Sequence, residues 1–122
     1  NFGINIAINE AFLDAALAAA IPKRYKWIGD GGAATGTVVA NTLGVTINVT
    51  NPVAGEYRFT AASGSPFTAN KTTAIVQSAD GTAAYMTGFE LTSDTQVRAY
   101  LFDDAGAPVD PTLYQVIIEV EP

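Results

Sequence analysis

The chain of 122 residues contains neither cysteine nor histidine, and these two absences remove most of the side-chain chemistry that enzymes use. Without them there is no disulfide and no Ser-His or Cys-His pair for nucleophilic catalysis. Transition-metal sites built from imidazole or thiolate are excluded for the same reason. We therefore expect a protein that is not an enzyme, has no catalytic or metal-binding residues, needs no cofactor and acts through its surface.

Charged residues are also scarce, at 15% of the chain, and acidic residues outnumber basic ones by twelve to six. The formal net charge of −6 would repel a phosphate backbone over most of the surface, so nucleic acid is not an expected partner. Carboxylate pairs remain as a route to glycoside hydrolysis. Most of the acids, however, fall in turns or alternate outward on strands, where they are expected to be ordinary solvated surface residues.

Long apolar runs are absent as well. The longest unbroken run, residues 15–21, has seven residues, whereas a helix that crosses a bilayer needs about 20, so no membrane span is expected. Hydrophobic residues still make up 48% of the chain, which predicts a folded domain with a surface of Thr, Ser, Asn, Gly and Ala. Such a surface favours an extracellular or particle-bound protein, and a start at Asn1 favours cleavage from a longer precursor or an excised piece.

The first 22 residues predict a strand followed by a short helix. Apolar residues alternate with polar or small ones over residues 1–9, which is typical of a strand with one buried face; the apolar positions are Phe2, Ile4, Ile6 and Ile8. Asn9 is then suited to cap a helix that Pro22 ends.

One stripe of that helix carries Leu13, Leu17 and Ile21, and the alanines around it keep the helix thin. A neighbour can approach such a helix closely, and either the protein's own sheet or copies of the same helix could be that neighbour. We interpret residues 1–22 as an assembly segment, with the strand and stripe residues as candidate assembly contacts, and residues 23–122 as the main domain.

From Tyr25 onward almost every pattern predicts β-structure. Strands are predicted at residues 25–28, 37–40, 43–50, 56–60 and 72–77, the last of them central because it is apolar on both faces. Asp80-Gly81 predicts a hairpin turn into a strand within residues 83–92, and residues 96–101 and 115–121 predict a final two-strand hairpin. The fold class is therefore mainly β, an antiparallel β-sandwich or jelly roll with an N-terminal strand and one short α-helix.

Aromatic side chains are the best candidates for surface recognition, because they give rigid contacts to sugars and proteins. The candidates are Tyr25, Trp27, Phe67 and Tyr100, each of which has core packing as its alternative.

Two further groupings have structural alternatives. Asp103, Asp104 and Asp110 crowd one loop and could hold calcium, or could be ordinary turn residues. The basic and aromatic run at residues 23–27 could bind single-stranded nucleic acid, or could follow a helix end for structural reasons.

The order of motifs in residues 43–121 resembles the C-terminal β-sandwich heads of bacteriophage tail fibres and related virion fibre or decoration proteins. The motifs are Gly55-Glu56-Tyr57-Arg58-Phe59-Thr60, Phe89-Glu90-Leu91-Thr92, Val97-Arg98-Ala99-Tyr100, and Asp104-Ala105-Gly106-Ala107-Pro108-Val109-Asp110 before a final apolar strand. The resemblance implies a non-enzymatic homotrimer that binds a host-surface glycan or protein, or other virion proteins. It places the protein on a virion.

A filament subunit is the alternative function. In this hypothesis the strand at residues 2–8 inserts into the sheet of the next subunit and builds an extracellular pilus or thread by donor-strand exchange.

Overall fold

Two four-stranded antiparallel sheets form the body of the structure, a computed structural model that describes residues 2–30, 34–78 and 85–122. Helix α1 precedes them, and its side chains are described from Asn9 onward except for Ala18. The elements are α1 (Phe2–Ala20), β1 (Lys23–Gly29), β2 (Gly36–Asn41), β3 (Ile47–Val53), β4 (Glu56–Ala61), β5 (Thr72–Ser78), β6 (Met86–Ser93), β7 (Gln96–Phe102) and β8 (Tyr114–Val120). The strand orders are β2-β1-β8-β5 and β3-β4-β7-β6, which confirms the mainly β, antiparallel sandwich.

The core lies between the two sheets and follows from strict alternation along the central strands. Every second residue of β7 and β8 is buried and the residues between them are half-exposed. Aromatic side chains from β1 and β4 fill the space between, with Phe59 meeting Tyr25 and Trp27 edge to face at centroid distances of 5.9 and 6.3 Å. Each fully buried large apolar side chain contributes about 1.5–3 kcal/mol, so this layer accounts for most of the stabilisation.

The last two strands are not a hairpin, and that part of the sequence prediction is wrong. β7 pairs with β4 and β6, whereas β8 pairs with β1 and β5 in the other sheet. Both strands bury one complete face. When the strands lie in different sheets, these two apolar faces pack against each other across the core. The connection at residues 103–113 is long enough to cross the roughly 10 Å between packed sheets.

Three other strand predictions need correction. The strand order places β5 at a sheet edge and not in a centre. Its second apolar face carries Ile75, which points out of the sandwich and is 52% exposed. β5 and β6 belong to different sheets, so they do not form a hairpin, and Asp80-Gly81 lies outside the described residues. β3 starts later than predicted and continues through Pro52, which an edge strand tolerates at its register shift between Thr50 and Val53.

The N-terminal strand prediction is also wrong, because Phe2, Ile4, Ile6 and Ile8 belong to α1. A lone strand leaves its backbone N–H and C=O groups unpaired, whereas a helix satisfies them internally. The alanine-rich residues 11–20 favour helix, and each residue added to a formed helix gains one hydrogen bond, so the helix extends back over the alternating segment. Asn9 is therefore an interior residue and not the cap, while the helix ends before Pro22 as predicted.

A single carboxylate fastens the connection between β7 and β8 to the turn between β3 and β4. Asp110 Oδ1 accepts hydrogen bonds from Tyr57 Oη at 2.9 Å, from the Gly55 backbone N–H at 2.9 Å and from Asn51 Nδ2 at 3.2 Å. Gly55 adopts φ 75°, and a Cβ there would lie 2.5 Å from the Leu101 carbonyl oxygen, so only glycine fits this turn.

Tyr57 also belongs to a group of aromatic side chains in mutual contact that spans both sheets. The rings of Tyr57 and Tyr114 lie 4.3 Å apart, and Trp27 Nε1 donates to Tyr114 Oη at 3.2 Å. Tyr25 is equally buried, but its hydroxyl has no hydrogen-bond partner among the described residues. The two tyrosines thus offer a matched comparison of a bonded and an unbonded hydroxyl.

We predict that Tyr57→Phe lowers the free energy of unfolding by about 1.5–3 kcal/mol, because a hydrogen bond to a carboxylate is lost inside the fold. Tyr25→Phe, the matched control, should leave stability unchanged or raise it, since it removes a buried hydroxyl that has no partner. Urea unfolding of both variants measures the difference. Equal midpoints for the two variants would contradict the role assigned to Asp110.

Candidate interaction surfaces

Helix α1 carries the most exposed large apolar side chains of the described residues. Phe12 is 73% exposed, Leu13 64% and Leu17 62%, and Ile21 just beyond the helix is 55% exposed. All described side chains of the helix are exposed, so the protein's own sheets do not pack on the part of the helix whose side chains are described, residues 9–17, 19 and 20. The sequence allows two packing partners for this helix, the protein's own sheet and copies of the same helix. The exposure of the described side chains argues against the first.

The predicted assembly contacts can be placed on that helix only in part. Leu13, Leu17 and Ile21 are accessible, as an assembly contact must be, and their role stays a prediction. The side chains of the four apolar residues in 2–8 lie outside the described residues. Sequence reasoning missed Phe12, which lies away from the Leu13 stripe but is the most exposed of the set.

Three of the four aromatic recognition candidates are wrong, because they lie in the core. Tyr25 and Trp27 occupy the inward positions of β1, and Phe67 enters the core from the loop between β4 and β5. The Phe67 backbone N–H donates to the Asp94 carbonyl at 2.9 Å, which holds this loop across the end of the sandwich. Only Tyr100 points outward, at a half-exposed position of β7.

Tyr100 belongs to the outer face of β4, β7 and β6, which we call the second-sheet face. Strand registry places on it Glu56, Arg58 and Thr60 from β4, Gln96, Arg98, Tyr100 and Phe102 from β7, and Met86, Gly88 and Glu90 from β6. The face is thus a mixture of aromatic, polar and paired charged groups.

Hydrogen bonds and ion pairs hold the charged side chains of this face in place. The largely buried Glu56 carboxylate lies 3.1 Å from Arg58 Nη2 and 3.5 Å from Arg98 Nη1. Arg98 Nε also donates to Gln96 Oε1 at 2.9 Å, and Gln96 Nε2 donates to Thr60 Oγ1 at 2.9 Å. This network of contacts holds the charged and polar side chains of the face in place within the protein itself.

The Tyr100 ring is held by contacts on two sides. Its hydroxyl donates to Glu90 Oε2 at 3.0 Å, and its ring lies nearly parallel to that of Phe102, at 9° and a centroid distance of 6.4 Å. Desolvation is the largest cause that raises the pKa of Tyr100 above its usual value, and the hydrogen bond to Glu90 is the second. The hydroxyl therefore remains a donor throughout the neutral pH range.

The acidic loop forms a turn. Asp103 Oδ1 accepts from the backbone N–H groups of Ala105 at 3.0 Å and Ala107 at 2.9 Å, which is a standard turn-forming arrangement. Asp110 is occupied by its three donors, and no group of three or more acidic residues in the described ranges could hold a metal ion. The calcium alternative therefore has no support in this loop.

The basic and aromatic run at residues 23–27 does not form one surface. It is strand β1, so its two aromatic residues face the core while Lys26 and Arg24 face the other way. Arg24 lies near Glu119 of β8, with Nε and Oε1 3.9 Å apart. The single-strand nucleic-acid alternative has no aromatic platform here.

Among the described helical residues, none form a helix both long and apolar enough to span a membrane. Comparison of the chain with protein families, curated proteins and solved structures found no match. The resemblance to virion fibre heads therefore stays a prediction from the sequence motifs.

We predict that stability falls steeply above pH 10. Burial raises the pKa of Tyr25 to about 12 and also raises the pKa values of Tyr57 and Tyr114, the former further through its hydrogen bond to Asp110. Below about pH 10 these tyrosines are protonated in both states. Above it the unfolded chain loses protons that the fold retains, so each tyrosine removes about 1.4 kcal/mol per pH unit.

Urea unfolding at successive alkaline pH values measures this slope. Tyr25→Phe should reduce the slope by about one tyrosine's share, because one raised pKa is removed from the fold. An unchanged slope in that variant would show that Tyr25 ionises equally in both states.

Proposed function

We propose that the protein is a non-catalytic structural subunit of a bacteriophage virion, either a fibre head or a capsid decoration protein. In this proposal α1 associates with α1 of identical copies as a trimer, and the sandwich is the head that meets a host-surface molecule or the particle. The observation that carries the proposal is the exposed apolar helix. The virion assignment itself comes from the resemblance of residues 43–121 to fibre heads.

An isolated helix of this composition needs a partner. Helices that are apolar all round are normally buried, and helical stability in proteins comes mostly from packing and not from propensity. The protein's sheets do not supply that packing to the described side chains of the helix. Copies of the same helix would supply it without any further component.

Charge on the helix indicates which face copies would share. At about 100° per residue, the carboxylates of Glu10 and Asp14 lie opposite Phe12. The face with Phe12, Ala16 and Ala19 is therefore free of charge, and its small residues permit close approach between helices. A shared seam on this face leaves both carboxylates in water.

The donor-strand alternative loses its structural basis. It requires residues 2–8 to be extended, and they are helical. No other observation favours polymerisation by strand exchange.

We predict that the full chain is a trimer at micromolar concentration and that Phe12→Lys converts it to a monomer. A lysine at the seam would place like charges in an apolar contact between helices. Glu10→Lys is the matched control, because it places the same side chain on the opposite face and should leave the trimer intact. Sedimentation velocity measures the mass, and urea unfolding should show the same sandwich stability in both variants.

A monomeric wild-type chain, or equal effects of the two lysines, would contradict the helix seam. The virion assignment has a separate test. Electron microscopy of the native assembly, with an antibody against residues 23–122, should label a fibre or the capsid surface. Label on free filaments would contradict it.

A further inference from the structure

Gly88 is in the interior of β6, where a glycine weakens a strand. Its φ is not positive, so backbone conformation does not require glycine. A Cβ built at this position would meet no atom within 4 Å apart from its neighbours in the chain, so packing does not require glycine either. Glycine inside a strand often marks a bulge, a tight bend or a place where another molecule approaches closely, and the register shift between β6 and β7 lies elsewhere, between Leu91 and Ser93.

Aromatic groups border the open space above Gly88. Tyr100 is its cross-strand partner on β7, and Met86 and Phe102 form the next pair on the same face. The Tyr100 ring does not cover the glycine, since no atom lies within 4 Å of the built Cβ. The result is a shelf, which we define as Gly88 with Tyr100, Phe102, Met86 and Glu90.

Charge at the shelf is balanced. Glu56 is paired with Arg58 and Arg98, and two glutamates and two arginines cancel over the second-sheet face. A strongly charged ligand would therefore gain little from the face. The groups that remain available are aromatic surface, the Glu90 carboxylate that Tyr100 orients, and the N–H groups of Arg98 beyond those that contact Gln96 and Glu56.

We propose that this shelf binds an uncharged saccharide. One sugar ring lies over Gly88 with its C–H face against Tyr100, and its hydroxyl groups bond to Glu90 and Arg98. Sugars combine an apolar face with many hydroxyl donors and acceptors, which matches a fixed aromatic ring beside pre-ordered polar groups. The proposal names a class of molecule that the sandwich head would meet and in that respect rests on the proposed function, but it does not depend on the structural role of α1.

The test is a titration of the ¹⁵N-labelled full chain, followed by NMR, with maltohexaose, cellohexaose, laminarihexaose and mannohexaose. Sialyllactose serves as the anionic comparison. At least one neutral oligosaccharide should shift the amide signals of Gly88, Glu90 and Tyr100, and it should bind more tightly than sialyllactose.

Variants separate the shelf from the rest of the surface. Tyr100→Ala should weaken binding roughly tenfold, the scale expected when one aromatic contact is lost. Gly88→Val should abolish binding while raising the urea midpoint, because valine favours strands and the space is open. Gly88→Ala gives the same test with a smaller side chain if valine disturbs the strand. Ile75→Ala, the matched control on the outer face of the other sheet, should change nothing.

Binding of none of the neutral sugars, tighter binding of sialyllactose, or full binding by Gly88→Val would overturn the proposal. So would a change of oligomeric mass in Gly88→Val, because the shelf would then be a subunit interface. Phe12→Lys should bind the sugar as the wild type does. A failure of the helix seam is therefore distinguishable from a failure of the shelf.

Discussion

The Asp110 carboxylate is the constraint on which the arrangement of the two sheets depends. It lies in the connection from β7 to β8, and it is bonded to the β3–β4 turn and to Tyr57 of β4, both of which belong to the same sheet as β7. The connection is thereby tied back to the sheet it has left. Because Tyr57 also stacks on Tyr114, the first residue of β8, the same contacts position the start of a central strand of the other sheet.

Much of the fold follows from alternation, and the failures show what alternation lacks. It located most of the strands because inward and outward positions differ in polarity, as in β7 and β8. It could not pair them, because the pattern of a strand is the same whichever neighbour it has. Alternation also marks the core face of β1, where Tyr25 and Trp27 alternate with Arg24 and Lys26, but selection of aromatic residues by type assigns the same two side chains to surface recognition.

The surfaces were less predictable than the fold for a related reason. Residue type alone selects Tyr100 as a candidate, whereas the proposed role of Gly88 depends on its registry with Tyr100 and on the empty space above it. Neither is visible in the sequence, where Gly88 is one residue of an ordinary strand. Phe12 escapes prediction because it lies outside the Leu13 stripe, although the helix has apolar residues on every side.

The positions of the helix and the shelf make the two proposals compatible in one molecule. β1 begins at Lys23, directly after α1, and ends at Gly29, which pairs with Tyr114 at the start of β8. From the end of β7 at Phe102 the chain passes through residues 103–113 to that start of β8. Phe102 and Tyr100 therefore lie toward the end of the sandwich remote from α1. Helices bundled at one end would therefore leave the shelves of all copies at the other. An assembly built through α1 would carry several weak saccharide sites on one particle, and linked weak sites give high avidity without strong individual contacts.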